Sequence, residues 1–143
     1  MQPTWIVAAD HTRGRIFSMD DKSFEEVCTF THPEARVQEQ ALQSDRPGRA
    51  HESVGKARHA LAPDVDSSEH ERAVFAKEIG SYIEQARQRH QFKKLLLIAE
   101  PKMLGSLRKE LSGETMNLVK RELSKNITQQ DEREIKRYVA SVF

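Results

Sequence analysis

The chain has 143 residues, of which 37% are hydrophobic and 31% are charged, and its formal net charge is +1. This length predicts a single domain over residues 1–143 that folds without a disulfide or a metal ion. The small net charge argues against a protein that coats nucleic acid with its whole surface. Cys28 is the only cysteine, which excludes an internal disulfide and suits a reducing cytoplasm.

Neither a secretion signal nor a membrane span is predicted. Residues 1–11 carry no basic leader, and the apolar run at 95–99 is far too short to cross a bilayer. We therefore expect a cytoplasmic protein without membrane association.

Three short strands open the chain. The apolar run at 5–9 is typical of a strand that is covered on both faces. Residues 10–14 and 20–23 are polar turns, which places further strands at 15–19 and 24–31. Together these patterns predict an antiparallel three-stranded meander.

A long segment follows at 34–63. It contains turn-forming residues at Pro47, Gly48, Gly55 and Pro63. Irregular segments of this length are uncommon inside a compact domain, and they are usually functional or disordered. We therefore predict a long functional loop over these residues.

The second half of the chain alternates helices and strands. Residues 68–89 form the clearest helix, because Ser68 and Glu71 match a capping box and apolar residues follow at helical spacing. The remaining predicted elements are a central parallel strand at 95–99, a helix that begins near Pro101, an ambiguous turn at 114–118, a charged edge strand at 119–123 and a final helix capped by residues 128–131.

The order of these elements predicts an α/β fold. Three strands, a loop and then alternating helices and strands form a mixed five-stranded sheet with helices on its faces. The strands at 5–9 and 95–99 are the most apolar, so we expect them to lie side by side in the centre of the sheet.

Several motifs together resemble a known family. They are WIVAADHTRGRIF at 5–17, HPEAR at 32–36 running on to SDRPGR at 44–49, RHA at 58–60 and LLLIAEPKMLGSLRKEL at 95–111. This combination covers nearly the whole chain and resembles the bacterial host attachment family, the proteins required for attachment to host cells. That family is similar in fold to the ribonuclease H-like central domain of eukaryotic-type peptide-release factors and of Pelota, the ribosome-rescue protein.

The resemblance implies a translation-related role without peptide-release chemistry. In such release factors, the loop between the third strand and the long helix carries a Gly-Gly-Gln tripeptide that enters the peptidyl-transferase centre of the ribosome. The corresponding segment here, 34–63, lacks that tripeptide, and none occurs elsewhere in the sequence. Ribosome binding stays open, since Pelota lacks the tripeptide as well. The family's description names a phenotype, from which we infer no surface adhesin.

The predicted binding residues lie between positions 45 and 59. Four cations there oppose two acids, a net charge of +2 before any histidine charge. Arginine forks match phosphate geometry, and the absence of aromatic residues between Phe30 and Phe75 disfavours base stacking. We therefore predict contact with the phosphates of structured RNA, in particular that of the ribosome. The candidate residues are Arg46, Arg49, Lys56, Arg58 and His59, with Asp45, Pro47 and Gly48 shaping the loop.

Two alternatives apply to the same segment. It forms a protein-interaction or dimerisation element, with Leu42, Val54 and Leu61 as apolar anchors, or it is a solvated loop whose arginines pair with the chain's own acids. The first alternative implies a homo-oligomer or a protein partner, and the second implies no partner at all.

A metal-dependent nuclease is the second functional alternative. Asp10 and Glu100 each follow a predicted central strand, so they are expected at one edge of the sheet, where open α/β sheets bind ligands. Two-metal nuclease sites need three or four convergent acids, and the sequence supplies only these two. Asp10 is better explained as a stabiliser of the turn that it begins.

No complete catalytic motif, cofactor fingerprint or metal-ligand spacing occurs in the sequence. The patterns G-x-S-x-G, G-x-x-x-x-G-K and G-x-G-x-x-G are all absent, and the six histidines show no metal-ligand helical spacing. Cys28 is explained either as a small structural residue or as a reactive thiol. The sequence therefore predicts a binding protein with no catalytic residues, no cofactor and no metal site.

Overall fold

A five-stranded mixed sheet forms the centre of the protein. The computed structural model describes residues 3–32 and 54–142, with side chains in 3–32 and 68–142. The elements in chain order are β1 (Thr4–Ala9), β2 (Arg13–Met19), β3 (Phe24–Thr31), α1 (Val54–Gln88), β4 (Lys94–Ala99), α2 (Pro101–Glu110), α3 (Gly113–Met116), β5 (Val119–Ser124) and α4 (Glu132–Val142).

The strand order is β3-β2-β1-β4-β5. β1 pairs antiparallel with β2 and parallel with β4, with Trp5 opposite Leu95 and Ala9 opposite Ala99. β2 pairs antiparallel with β3, and β4 pairs parallel with β5. The predicted mixed sheet, its central strand pair and the edge position of β5 are thus confirmed.

Helices cover both faces of the sheet. Because successive strand residues point to opposite faces, the apolar runs of β1 and β4 supply two cores. Val7, Ala9 and Leu97 pack in the core that α1 and α2 cover. Ile6 and Ile98 pack in the second core, beneath Ile135 and Val139 of α4.

The long helix begins earlier than the sequence predicted. α1 starts at Val54, so residues 54–63, which were predicted as the end of the loop, are helical. Pro63 lies inside the helix, although proline costs a helix interior about 3 kcal/mol, and the predicted capping box at Ser68 does not mark its start. Neighbouring Ala57, Ala60, Leu61 and Ala62 are strong helix formers and offset part of that cost. The predicted apolar face is confirmed further on, where Phe75, Ile79 and Ile83 are fully buried.

Local capping bonds fix the two helices near the C-terminus. In α4, the Glu134 amide donates to Asp131 Oδ1 (2.8 Å) and the Asp131 amide donates to Glu134 Oε1 (3.2 Å), a reciprocal capping box. In α3, the Thr115 amide donates to Ser112 Oγ (3.1 Å). The predicted cap of the last helix is therefore confirmed at Asp131, and the ambiguous turn is a short helix.

α1 and α2 approach closely at Gly80. A Cβ placed on Gly80 would lie 2.9 Å from the Cβ of Glu110, which is closer than real Cβ contacts. A Cβ on Gly105 in α2 would meet no atom within 4 Å. The two glycines therefore differ in packing although both lie in helix interiors.

We expect Gly80→Ala and Gly105→Ala to change stability in opposite directions. Alanine gains about 0.5–1 kcal/mol over glycine inside a helix, and at Gly105 nothing offsets that gain. At Gly80 the added methyl forces α1 and α2 apart, so the melting temperature falls. Thermal unfolding of both variants against the parent protein measures this. Equal stabilisation of the two would contradict the close approach.

Candidate functional site

Two carboxylates stand at the carboxyl edge of the sheet. β1 and β4 end side by side at Ala9 and Ala99, and Asp10 and Glu100 follow directly. The prediction that both lie at one sheet edge is confirmed. Parallel strands make this edge the usual ligand-binding place of an open α/β sheet.

The carboxylate of Asp10 is buried and accepts hydrogen bonds at both oxygens. Its Oδ1 accepts from the Thr12 amide (2.8 Å), the Arg13 amide (2.8 Å) and the Thr12 hydroxyl (3.0 Å). Its Oδ2 accepts from the Thr128 hydroxyl (2.6 Å) and the Asn126 side-chain amide (3.1 Å). One carboxylate thus joins the β1–β2 turn to the segment between β5 and α4.

The charge on Asp10 is stabilised by this arrangement. Burial alone raises the pKa of the carboxyl group, but the hydrogen bonds from Thr128, Thr12 and Asn126 outweigh burial and lower the pKa below its ordinary value of 3.8. With its acceptor positions used within the fold, Asp10 is a structural acceptor. The sequence-based explanation of Asp10 as a turn stabiliser is confirmed.

The role of Thr128 and Asn126 is evident only in the folded protein. Thr128 was predicted to help cap the last helix, yet its hydroxyl is buried against Asp10. Asn126 supports it, because the Thr128 amide donates to Asn126 Oδ1 (3.1 Å). No local pattern marks these residues, since both lie more than 110 positions from Asp10 in the chain.

Glu100 makes contacts with the residue that follows Asp10. The His11 amide donates to Glu100 Oε1 (3.1 Å), and His11 Nδ1 lies 3.4 Å from the same oxygen. Pro101 is the first residue of α2, as the sequence predicted. Among the side chains described in 3–32 and 68–142 there is no group of three or more histidine, cysteine or acidic residues that could hold a metal ion.

One arginine at this edge is neutralised by the fold. Arg15 donates to both oxygens of Glu26, from Nε (3.0 Å) and from Nη2 (2.8 Å). Its Nη1 donates to the carbonyls of Thr128 (3.1 Å) and Gln130. The hydrogen bond from Arg15 is the main reason that the pKa of Glu26 lies below its ordinary value. Arg15 therefore fixes α4's leading segment to the sheet.

His32 directly follows β3 and is the last residue that the structure describes before position 54. It is buried, its ring stacks on Phe75 at 5.1 Å between centroids, and its amide donates to the Thr12 carbonyl (2.9 Å). Its Nε2 lies 3.5 Å from Oε2 of Glu71 in α1. These contacts fix the point where the chain leaves β3 against the middle of α1.

A polar groove lies between α1 and α2. Its volume is about 390 Å³. Its lining includes three cationic side chains, of Arg72, Lys102 and Lys109, and the two carboxylates of Glu69 and Glu110. The sequence gives no sign of the groove, because its cations come from two helices that are about thirty positions apart in the chain.

The predicted binding residues fall largely outside the described side chains. Arg46, Arg49, Asp45, Pro47 and Gly48 lie outside the described residues. Positions 56, 58 and 59 are in the first part of α1, where the structure describes the backbone alone. Their part in binding stays a prediction.

Cys28 has the surroundings of a structural residue. Burial raises the pKa of its thiol above the ordinary value, and the nearby Glu26 charge raises it further. Hydrogen bonding to Tyr82 lowers the pKa and offsets only part of this rise. A raised pKa keeps the sulfur protonated at neutral pH, which lowers its reactivity.

The fold and this sheet edge define an α/β protein with an open, mixed sheet. In the part of the chain that the structure describes, no helix combines the length and apolarity that a bilayer crossing needs.

The family model described as "Protein required for attachment to host cells" matches residues 5–139. The chain therefore belongs to this family. It is similar to a protein of Rickettsia prowazekii (strain Madrid E) described as uncharacterized protein RP470, with 30% identity over 112 residues, which are 76% of this chain and 68% of that protein. These matches confirm the host attachment resemblance, and the likeness to release factors stays a prediction.

We expect Asp10→Asn to destabilise the protein by about 2–3 kcal/mol at pH 7, because buried donors lose a charged acceptor. The folded-state pKa of Asp10 is lowered, so its contribution is complete above pH 3.8 and disappears as pH falls through the folded-state value. The difference in the free energy of unfolding between the parent protein and the variant should therefore become smaller as the pH falls. Urea unfolding from pH 7 down to about pH 2 measures this difference.

Asp20→Asn provides the matched control. Asp20 Oδ1 accepts from the Lys22 and Ser23 amides, each at 2.8 Å, which copies the turn of Asp10 on an exposed surface. This variant should lose much less stability. An Asp10→Asn deficit that stays constant with pH would contradict the assigned charge.

Proposed function

We propose that the protein is a non-catalytic binding module that contacts the phosphates of structured RNA, in particular ribosomal RNA, through the basic segment at 45–59. The observation that carries the proposal is the charge of that segment. Arg46, Arg49, Lys56 and Arg58 oppose Asp45 and Glu52, so four positive charges minus two negative charges leave +2. Guanidinium groups bind phosphate oxygens through paired hydrogen bonds.

The surroundings of the segment support this proposal. His32 is held against Phe75 and lies 3.5 Å from Glu71, so the end of β3 is fixed against α1. At the neighbouring sheet edge, the oxygens of Asp10 are used as acceptors within the fold. Asp10 therefore serves the fold, and the basic segment carries the proposed contact.

We also propose a ribonuclease H-like fold similar to the central domain of release factors and Pelota. The antiparallel meander followed by two βα units supports this assignment. The missing Gly-Gly-Gln tripeptide is the reason to assign binding without peptide release. A translation-related partner places the protein in the cytoplasm, so the link to host attachment would be indirect.

We expect the protein to co-sediment with ribosomes at low salt and to dissociate as salt rises, because phosphate contacts release counterions. Replacing Arg46, Arg49 and Arg58 by glutamine should lower the affinity at least tenfold. The plot of log affinity against log salt should become shallower by about 2–3, at roughly 0.7–0.9 per lost contact. Ribosome co-sedimentation over a salt series measures both quantities.

The control removes three charges elsewhere. Lys77, Lys120 and Lys136 are exposed and form no ion pair with the residues that the structure describes. Their triple glutamine variant should bind almost as the parent protein does. Absence of binding at low salt would overturn the proposal, and so would equal losses in the two triple variants. Loss of an oligomer in the loop variant, without RNA affinity in the parent, would favour the protein-interaction alternative.

A further inference from the structure

The groove between α1 and α2 is formed by one face of α2. Lys102, Gly105, Ser106 and Lys109 follow one another at steps of three, one and three residues, which places them on one side of a helix. Met103 and Leu107, on the other side, are fully buried in the core. Packing of the apolar side thus fixes the orientation in which α2 presents two lysines to the groove.

The cations of the groove have no ionic partner among the residues that the structure describes. Arg15, Arg87 and Arg108 each form ion pairs within the fold. Arg72, Lys102 and Lys109 form none within 4.0 Å of a described acid. Three positive charges therefore converge on one polar groove without neutralisation by the carboxylates that share it.

The groove also contains hydrogen-bond acceptors. Glu69 and Glu110 contribute two carboxylates, so the lining carries three positive and two negative charges. The Ser106 hydroxyl donates to the Lys102 carbonyl (3.1 Å), which leaves its oxygen as an acceptor. A net charge of +1 suits a singly charged phosphodiester better than a free phosphate ion, which the two carboxylates would repel. The acceptors suit a hydroxyl donor next to that phosphodiester.

The groove adjoins the point where the chain leaves β3. Glu71, which contacts His32, is followed directly by Arg72 of the groove. On the other side, Pro101 and Lys102 follow the carboxyl end of β4. At 1.5 Å per helical residue, Arg72 lies about 24 Å along α1 from position 56. A polyanion bound near position 56 would have only a few nucleotides to span before it reaches the groove.

We propose that the groove binds a phosphodiester–ribose unit of the same RNA, with the cations on the phosphate and the carboxylates accepting from the 2′-hydroxyl group. This inference rests on the proposed RNA-binding function and adds a second contact to it. The 2′-hydroxyl group distinguishes RNA from DNA at a binding site. The groove therefore contributes a preference for RNA, whereas the 45–59 segment contributes affinity for phosphates in general.

The test uses a fluorescein-labelled RNA hairpin of 20 nucleotides and the DNA hairpin of the same sequence, with binding followed by fluorescence anisotropy. Replacing both Lys102 and Lys109 by glutamine should weaken RNA binding about tenfold. It should also reduce the slope of log affinity against log salt by roughly 1–2. Glutamine at both Lys77 and Lys120 is the matched control and should change neither. Groove variants that bind as tightly as the parent, while the loop triple variant binds weakly, would overturn the groove and leave the proposed function intact.

Two further variants separate the carboxylates and the space of the groove. Glutamine at both Glu69 and Glu110 should raise DNA affinity and lower the RNA-over-DNA ratio, because the repulsion that penalises a bare phosphate is gone. Gly105→Leu should block RNA binding without changing charge, since a side chain there extends into open space. Gly113→Leu adds the same side chain at another open position and should bind normally.

Three further outcomes test separate parts of the proposal. An unchanged RNA-over-DNA ratio in the carboxylate variant would overturn the assignment of the 2′-hydroxyl contact. Weak binding by the groove variants with normal binding by the loop variant would support the groove and overturn the role of residues 45–59. No RNA binding by the parent protein at low salt would overturn both proposals.

Discussion

The buried carboxylate of Asp10 joins two parts of the chain that the strand ladders alone do not connect. The sheet pairs β1 with β2 and β4, whereas the segment after β5 must still be placed across its second face. Bonds from Thr128 and Asn126 to Asp10 place that segment, and Arg15 reinforces it through the carbonyls of Thr128 and Gln130. α4 can then cover the second core with Ile135 and Val139. A charged group is retained in this position because every donor around it is oriented by backbone or by a neighbouring side chain.

This use of Asp10 also decides what the sheet edge can do. In open α/β sheets the carboxyl ends of parallel strands are the usual place for a ligand. Here the hydrogen bonds of the fold occupy the Asp10 oxygens, and Glu100 contacts His11. The cationic side chains that can contact a partner lie farther from the sheet, along the groove between α1 and α2. At the edge, Arg15 pairs with Glu26 and Asp10 accepts hydrogen bonds from neutral donors, whereas Lys102 and Lys109 are exposed on the outer side of α2.

The family assignment and the geometry address different questions. The match over residues 5–139 shows that the chain belongs to the host attachment family, and that description names an outcome for the cell. The geometry concerns the chemistry of a contact, and the groove cations, which have no ion-pair partner among the described residues, favour an anionic ligand. Binding to RNA is the proposal that joins these observations with the basic segment that follows β3.

The sequence by itself determined the mixed sheet, its central pair of strands and the capping of the last helix. Those features follow from local patterns: apolar runs at 5–9 and 95–99, turn residues between short strands, and the capping pattern at 128–131. The start of α1 was predicted too late in the chain, because Pro63 and Gly55 disfavour a helix. The alanines around them, taken together, favour one. Only the tertiary structure decided that Thr128 and Asn126 belong to Asp10, and that Arg72 faces Lys102 and Lys109. Those groups are far apart in the chain, and no local periodicity encodes which distant side chains the packing of two helices on a sheet will bring together.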